Sequence, residues 1–541
     1  MRLGVMPLIV LTADRALFTD FGGLNFLGFG LCLPYRLVPS FIEYNILAPR
    51  IPADEDGRAL YAPYALAKVE ASLLASGFNR SEVLITPPEH VERVVDGETR
   101  IVAIHVVDPL GLAPVSWTLK TLTGGGESCT EYEFKRLMAK IIKLKDKYKF
   151  KVIVGGPGSW QLKGREDEFS IDVLFEGEAE ITFPQVVRDV VSGYEVPRRI
   201  LGETVPVDKI PLITTPSSRG GTVQITRGCP RKCRFCNPTM FNFRSIPLDA
   251  IVKESLFNVR CGAKAIIFVT EDVLLYGAKG VMPNIEAVKK LFSEVKSRTG
   301  ISPEFCHVTP STALAAKEAV KYITELCGFD ENKPMFPQVG LESGSPEIVK
   351  KFFSGKPYPW KPSEWPMVVL EASSLFNENY WYPCYTYIIG FPEAKPSDYV
   401  KTVELIDDLH YMKFKGWIFP LLLIPMGGSL LENKVKFPSL KDVPSEAFEA
   451  FIAGWRHSIW FSKLIYPKLI SSARNQLVKK VAELLASKAI EAMENWISMI
   501  ERDPSSIGNI FAKMNIRSVP QLLVALAREL KTRATIKVKS H

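Results

Sequence analysis

Between Tyr61 and about Leu430, short runs of Val, Ile and Leu alternate with segments of helical apolar spacing, which restricts the chain to parallel sheets wrapped by helices. The first block reads as helix over 64–76, strands over 83–86 and 101–107, and helix over 132–147. Strands over 151–154 and 172–175 and a helix over 181–191 complete it. Two of these strands end in glycine, one running into Gly155-Gly156-Pro157-Gly158 and the other into Glu176-Gly177-Glu178. Glycine there lets backbone approach a ligand at the carboxyl edge of an open sheet, and it equally makes a tight turn. A Pro- and Ser-rich connector over 210–221 leads to a second alternating block that starts at Val223. Beyond Asn433 the pattern is helical, over 447–465, 473–500 and 519–533.

The expected fold class is therefore α/β. It divides into an N-terminal extension at 1–60, a Rossmann-like doubly wound sheet at 61–205, a second strand-helix unit at 215–432 and a C-terminal helical region at 433–541. A chain of 541 residues, 47% hydrophobic and 23% charged, accommodates two or three such cores. Its net charge of +8 is scattered rather than gathered into a basic arm, which argues against a nucleic-acid partner. The apolar stretches at 22–34 and 417–426 fall short of the roughly twenty residues that span a bilayer. The N-terminal residues lack a small-residue cleavage site, so the expectation is a cytoplasmic protein. Nine cysteines, three of them crowded between 229 and 236, do not form a disulfide framework.

The crowded cysteines carry the chemistry. Arg227-Gly228-Cys229-Pro230-Arg231-Lys232-Cys233-Arg234-Phe235-Cys236 follows a strand expected over 222–226 and spaces its thiols as C-x3-C-x2-C. Three thiolates on one loop suit a four-iron cluster and leave one iron open to a further ligand. Zinc competes for cysteines at such spacing, but a tetrahedral site needs a fourth Cys or His, and none follows nearby.

With Phe235 before its third cysteine, the loop resembles that of the radical S-adenosylmethionine (SAM) superfamily. The resemblance covers about residues 220–430. It implies a partial (β/α)6 barrel, a 4Fe-4S cluster on Cys229, Cys233 and Cys236, SAM on the open iron, and a reductant such as ferredoxin or flavodoxin. In that family the reduced cluster cleaves SAM to a 5'-deoxyadenosyl radical, which removes hydrogen from an unactivated carbon. Glu271 and Asp272 follow a strand expected over 266–269 and stand where the family holds the amino end of SAM, without the family's glycines. Glu342-Ser343-Gly344-Ser345 is similar to the strand-four signature, which places Glu342 and Ser343 at the ribose and carboxylate of SAM; the same residues make a good helix start. Gly390-Phe391-Pro392 resembles the loop after strand five, and Gly427-Gly428-Ser429 the loop that cups adenine.

Upstream, Gly155-Gly156-Pro157, Asp172 and Gly177-Glu178-Ala179-Glu180 resemble the cobalamin-binding domain that precedes many radical SAM barrels, which assigns Gly155, Gly156 and Gly177 to cofactor binding. The loop Asp108-Pro109-Leu110-Gly111 departs from that pattern in lacking a cobalt-ligating histidine. Cobalamin stays open on this reading, because relatives of this class bind it without that histidine and others keep the fold without the cofactor.

Strand five, read over 380–387, turns either Trp381, Tyr385 and Tyr387 or Tyr382, Cys384 and Thr386 toward the barrel interior. Cys384, Tyr385 and Tyr387 are the candidate catalytic residues, with Cys306 as a second thiol; a buried structural cysteine is the competing reading. Aromatic residues interleave with apolar or basic ones at 21–30 and 451–466, suiting a membrane surface, a hydrocarbon tunnel or a core helix. The arrangement from Leu11-Thr12-Ala13-Asp14-Arg15 through Asp108-Pro109-Leu110-Gly111 to Glu271-Asp272-Val273-Leu274-Leu275-Tyr276 resembles an archaeal group that includes the tetraether-lipid (GDGT) ring synthases. That resemblance implies lipid biosynthesis, an apolar lipid substrate joined by C-C bonds into cyclopentane rings, and peripheral membrane contact. Scarce glutamine with abundant Lys and Glu fits an archaeal thermophile. The alternatives are a cobalamin-dependent radical SAM C-methyltransferase and a non-catalytic iron-sulfur or zinc protein.

Overall fold

A computed structural model describes residues 7–21, 25–439, 444–471 and 476–502. The helix expected at 519–533 lies outside the described residues, as do 22–24 of the first aromatic stretch and 473–475 of the helix expected at 473–500.

Six parallel strands form the first sheet: β1 Ile9–Ala13, β2 Val83–Ile85, β3 Ile101–His105, β4 Lys151–Gly155, β5 Val173–Gly177 and β6 Arg199–Gly202, in the order β2-β1-β3-β4-β5-β6. The expected boundary at residue 60 is corrected here, because β1 comes from the supposed extension. Its run Ile9-Val10-Leu11-Thr12-Ala13 is wholly buried and pairs with two neighbours, as a central parallel strand must. Val10, Val102, Val152 and Leu174 pack on one side with Phe134 and Leu137 of the helix Cys129–Tyr148. Ile9, Leu11, Ile153 and Val173 pack on the other with the helices Tyr64–Ala75 and Thr182–Val191.

The second unit adds β7 Thr222–Gln224 and β8 Thr226–Arg227, the latter paired antiparallel with β9 Arg244–Ser245. Then follow β10 Ile267–Val269, β11 Glu304–Phe305, β12 Gln338–Glu342, β13 Cys384–Ile389 and β14 Trp417–Leu422. Strands β7, β10 and β11 form one parallel sheet and β12, β13 and β14 another. A parallel bridge from His307 to Gln338 joins the two, giving six consecutive strands of a half-open barrel. The first unit covers the open edge: Thr118 Oγ1, on the helix Pro114–Leu122, accepts a 2.9 Å hydrogen bond from the Leu422 amide of β14.

The aromatic helix Ser445–Ser471 is core material. Phe451, Ser458 and Phe461 are buried against the barrel, and Ser458 Oγ bonds both the N–H and the C=O of Ile418 on β14. No helix among the described residues is long and apolar enough to cross a membrane.

Candidate functional site

The cysteine loop is fixed before any ligand arrives. Gly228 turns it at φ +72, where a Cβ would lie 2.5 Å from Phe241 O. Thr239 Oγ1 donates to Cys236 O at 2.8 Å, and the Cys229 amide donates to Pro238 O at 3.1 Å. Phe235 sits edge-on to Phe353 and Phe391, with centroids 6.1 and 5.8 Å away, clamping the loop to that following β13. Buried Arg231 donates to Lys356 O at 2.7 Å and to Asp272 Oδ2 at 3.2 Å, tying the loop to those after β10 and β12.

Burial pushes the Cys233 thiol up to about 12 and raises Cys229 and Cys236 above the ordinary thiol range; Cys233 and Cys236 also feel neighbouring cysteines of the triplet. Holding three such groups as thiolates takes strong positive charge, which cluster iron provides. A tetrahedral zinc site wants a fourth Cys or His, whereas the groups outside the triplet that act on these thiols are Arg231, Lys356, Glu271, Asp272 and Glu342. Three thiols on one rigid loop instead fit a 4Fe-4S cluster with one open iron.

The residues expected around SAM separate into two groups. Glu271 is exposed at the rim, near enough to Cys229, Cys236 and Cys306 to act on all three electrostatically. Asp272 is corrected from a ligand contact to a buried tie: its carboxylate is engaged by Arg231, by Thr312 Oγ1 at 2.8 Å and by the Leu274 amide. Glu342 stands at φ +63, a strained position for a non-glycine residue, and pairs with Lys356 in the space left by Gly340. Burial opposes the charge on Lys356, but Glu342 and Cys233 outweigh it and raise the ammonium pKa. Ser343 Oγ lies 3.3 Å from Thr402 Oγ1, and Gly344 allows the loop to meet the helix Pro396–Tyr411, where a Cβ would be 2.3 Å from Lys401 O. Gly390, at φ +96, has open space around it. Asn237 Nδ2 donates to Gly427 O at 2.6 Å, and Trp160 from the first unit lies against Gly427. Sequence reasoning missed Arg231, Lys356, Asn237 and Trp160; the charged Arg231 inside the cluster motif was the one available signal.

On β13 the alternation resolves against the tyrosines. Tyr385 is buried outward, its hydroxyl 2.8 Å from Ser373 Oγ, and the Tyr387 hydroxyl donates to Ala450 O at 2.6 Å, so both are packing residues rather than catalytic ones. Cys384, Thr386 and Ile388 hold the other face. Cys384 opens the strand, about 20 Å by strand rise from the rim at Gly390. Cys306 directly follows β11 at the carboxyl edge and feels Glu271 and Arg219, so the site includes the second thiol rather than the first.

The first sheet turns its own carboxyl edge toward this site. Its order reverses between β1 and β3, so its ligand crevice lies at their ends, and the first loop is 14–18 rather than 108–111. Asp14, pushed up by burial to about 7, and His105, pushed down by burial to about 4, stand there. Arg219 reaches over from the connector to Leu17 O at 3.1 Å. The glycines assigned to cofactor binding are used differently. A Cβ at Gly156 would strike Val106 O and His105, one at Gly177 would strike Gly202, and one at Gly155 would crowd Phe175 O at 3.2 Å. Glu178 and Glu180 both pair with Arg227, and Glu178 also pairs with Arg244, so this motif docks the first unit onto the base of the cysteine loop.

A half-open parallel barrel with three cysteines on the loop after its first strands defines the radical SAM class, and residues 223–406 match the family model described as "Radical SAM superfamily". The chain carries a radical SAM superfamily domain. Among curated proteins it is 23% identical over 284 residues to ribosomal protein uS12 methylthiotransferase RimO of Oleidesulfovibrio alaskensis, covering 50% of this chain and 62% of that one. It is 27% identical over 288 residues to the putative methylthiotransferase MJ0865 of Methanocaldococcus jannaschii, covering 49% and 60%. The chain thus spans under two thirds of the length of these relatives. Among solved structures, the radical SAM methyltransferase TsrM of Kitasatospora setae, with cobalamin and a [4Fe-4S] cluster bound, superposes with a TM-score of 0.53 at 14% identity. That match covers 79% of this chain and 77% of TsrM, a span that takes in more than the barrel.

Proposed function

We propose that this protein is a radical SAM enzyme that removes hydrogen from an unactivated carbon of an apolar substrate. The rigid three-cysteine loop beside Glu271, Glu342 and Lys356 carries this reading. Cys229, Cys233 and Cys236 would hold a 4Fe-4S cluster, which would supply, with SAM, the 5'-deoxyadenosyl radical. The chain's own part is to bind and enclose: Glu342, Ser343 and Gly390 border the place for SAM, while the first unit covers the barrel's open edge and excludes water.

For the specific reaction we infer C-C bond formation, closing cyclopentane rings in isoprenoid tetraether lipid. The inner face of β13 and β14 supports an apolar substrate, because Ile388 and Leu421 lie there with no charged side chain, beside Phe419, which packs on Trp455. The second reading is C-methyl transfer assisted by cobalamin, with the β1/β3 crevice as its place. The named relatives and the TsrM fold favour that reading over ring closure. Anaerobic reconstitution with SAM, reductant and cobalamin, read by mass spectrometry of lipids and SAM products, separates them. Loss of two hydrogens per ring with 5'-deoxyadenosine supports ring closure. Methyl gain with S-adenosylhomocysteine overturns it in favour of methyl transfer.

A further inference from the structure

The two aromatic stretches of this sequence meet opposite fates. The helix Ser445–Ser471 buries its aromatic side in the barrel, whereas the segment 25–47 presents large apolar side chains to solvent. Phe29, Tyr35, Phe41 and Ile46 keep 41%, 42%, 46% and 39% of their surface exposed. Phe29 rides on the 3-10 helix Asn25–Cys32 and Phe41 and Ile46 on the helical turn from Ser40 through the π-helix Glu43–Leu47, which packs against it; Tyr35 opens the 3-10 turn between them and stacks on Tyr132 at 4.2 Å.

The backbone beneath them is fixed. Arg15 donates to Ala48 O at 3.0 Å and to Tyr44 O at 3.1 Å, and Tyr44 Oη donates to Glu133 at 2.7 Å. The inward side chains Leu31, Val38 and Leu47 form a small core with Phe21 and Cys129. The outward residues are therefore displayed by a rigid platform. Leaving such a patch in water is unfavourable unless something covers it.

Charge points to the occupant. The charged residues of 25–50 are Arg36, Glu43 and Arg50; Glu43 is buried, and Arg36 is exposed while donating to Thr123 O. Arg50, just past the lobe, keeps 71% of its side chain exposed although Glu89, already paired with Arg15, lies 3.9 Å away, so the exposed charge of this segment is cationic. Aromatic and aliphatic side chains with arginines at their margin match an anionic lipid surface. The lobe also borders the seam between the two sheets, because Phe21 of its core lies under the Arg219 guanidinium at 4.4 Å.

We propose that the lobe formed by residues 25–47 seats the enzyme on an anionic lipid bilayer, with Phe29, Phe41 and Ile46 entering the interface and Arg36 and Arg50 meeting headgroups. This rests on the lipid-substrate reading and specifies where the substrate reaches the protein.

The test is flotation of the full chain with vesicles of phosphatidylcholine alone and of phosphatidylcholine with phosphatidylglycerol. The wild type is expected to float, more with the anionic lipid and less at high salt. The triple variant Phe29→Ser/Phe41→Ser/Ile46→Ser should lower partitioning roughly 30-fold or more with melting temperature and cluster absorbance unchanged. Phe41→Ser alone, the control should the triple variant misfold, should lower it several-fold. Absence of flotation, or equal flotation of both variants, overturns the proposal. A wild-type dimer in gel filtration that the variants dissolve, without vesicle binding, also overturns it and makes the lobe a self-association surface. Vesicle binding through the lobe with no change in any lipid sustains docking and removes the lipid-substrate reading. Ring formation in detergent-dispersed lipid without vesicle binding removes docking alone.

Discussion

The two parallel sheets of this protein face each other with the same kind of edge, carboxyl ends of strands closed by glycine loops, yet they use those edges differently. The barrel edge keeps its polar groups toward open space: Cys229, Cys233 and Cys236 are free thiols, Cys229 accepting a hydrogen bond from the Arg231 backbone, Glu271 is exposed, and Gly390 opens on empty space. The first sheet's edge spends its motif on architecture, with Gly156 and Gly177 against neighbouring backbone and Glu178 and Glu180 on Arg227. A glycine-acidic motif at a strand end marks close approach, and only the opposing surface tells whether ligand or protein approaches.

The largest expected effect lies on the barrel edge. Cys233→Ala should abolish the visible absorbance of the cluster and all SAM cleavage, and retention of either would erase the functional distinction between the edges.

Glu178→Ala, on the other edge, leaves Arg227 and Arg244 short of a partner at a largely buried interface and should cost about 3 kcal/mol of stability, seen as a fall in melting temperature. Its cluster content per folded protein should stay at the wild-type level. Loss of the cluster at unchanged stability would show that the docking motif belongs to the chemical site.

The two units should also respond to pH with opposite sign. Asp14, raised from 3.8 to about 7 in the fold, contributes stability that is full below pH 3.8 and declines as pH rises through 7. His457, on the helix Ser445–Ser471 and wholly buried against His410 and Phe414, is lowered from 6.5 to about 3 by burial, with His410 and Lys413 adding to the shift. Its contribution is full above pH 6.5 and declines as pH falls toward 3. Denaturation between pH 4 and 7 should therefore find that Asp14→Asn removes a loss on the alkaline side and His457→Gln a loss on the acid side, each up to about 1.4 kcal/mol per pH unit. Slopes of the same sign would refute the assignment.

The smallest effect separates packing from catalysis. Tyr387→Phe removes one hydrogen bond to Ala450 O, about 1 kcal/mol, and should leave SAM cleavage per cluster unchanged; a lost reaction with intact folding would return Tyr387 to the site.

Strand-helix alternation, the cysteine spacing and the glycines at strand ends were legible because each is a local constraint: period two, one loop, one φ value. Residues 9–13 were read as an extension because five residues carry little periodicity on their own, and pairing with residues 83–85 and 101–105 is what makes them a central strand. Asp272 looked like a ligand contact because a carboxylate at a strand end has the same sequence whether it meets an arginine or a ligand. Arg231 and Lys356 escaped notice for the complementary reason, being 125 positions apart and joined only through the fold.

The sequence by itself determined the chemistry of the cluster loop and the class of both sheets, since covalent spacing and side-chain period act along the chain. Tertiary structure alone decided whether each glycine-acidic motif meets protein or open space, which face of β13 turns inward, and which aromatic stretch is core and which is surface. Those outcomes depend on what stands opposite each residue, and burial, charge pairing and close backbone approach are properties of pairs that distance along the chain does not encode.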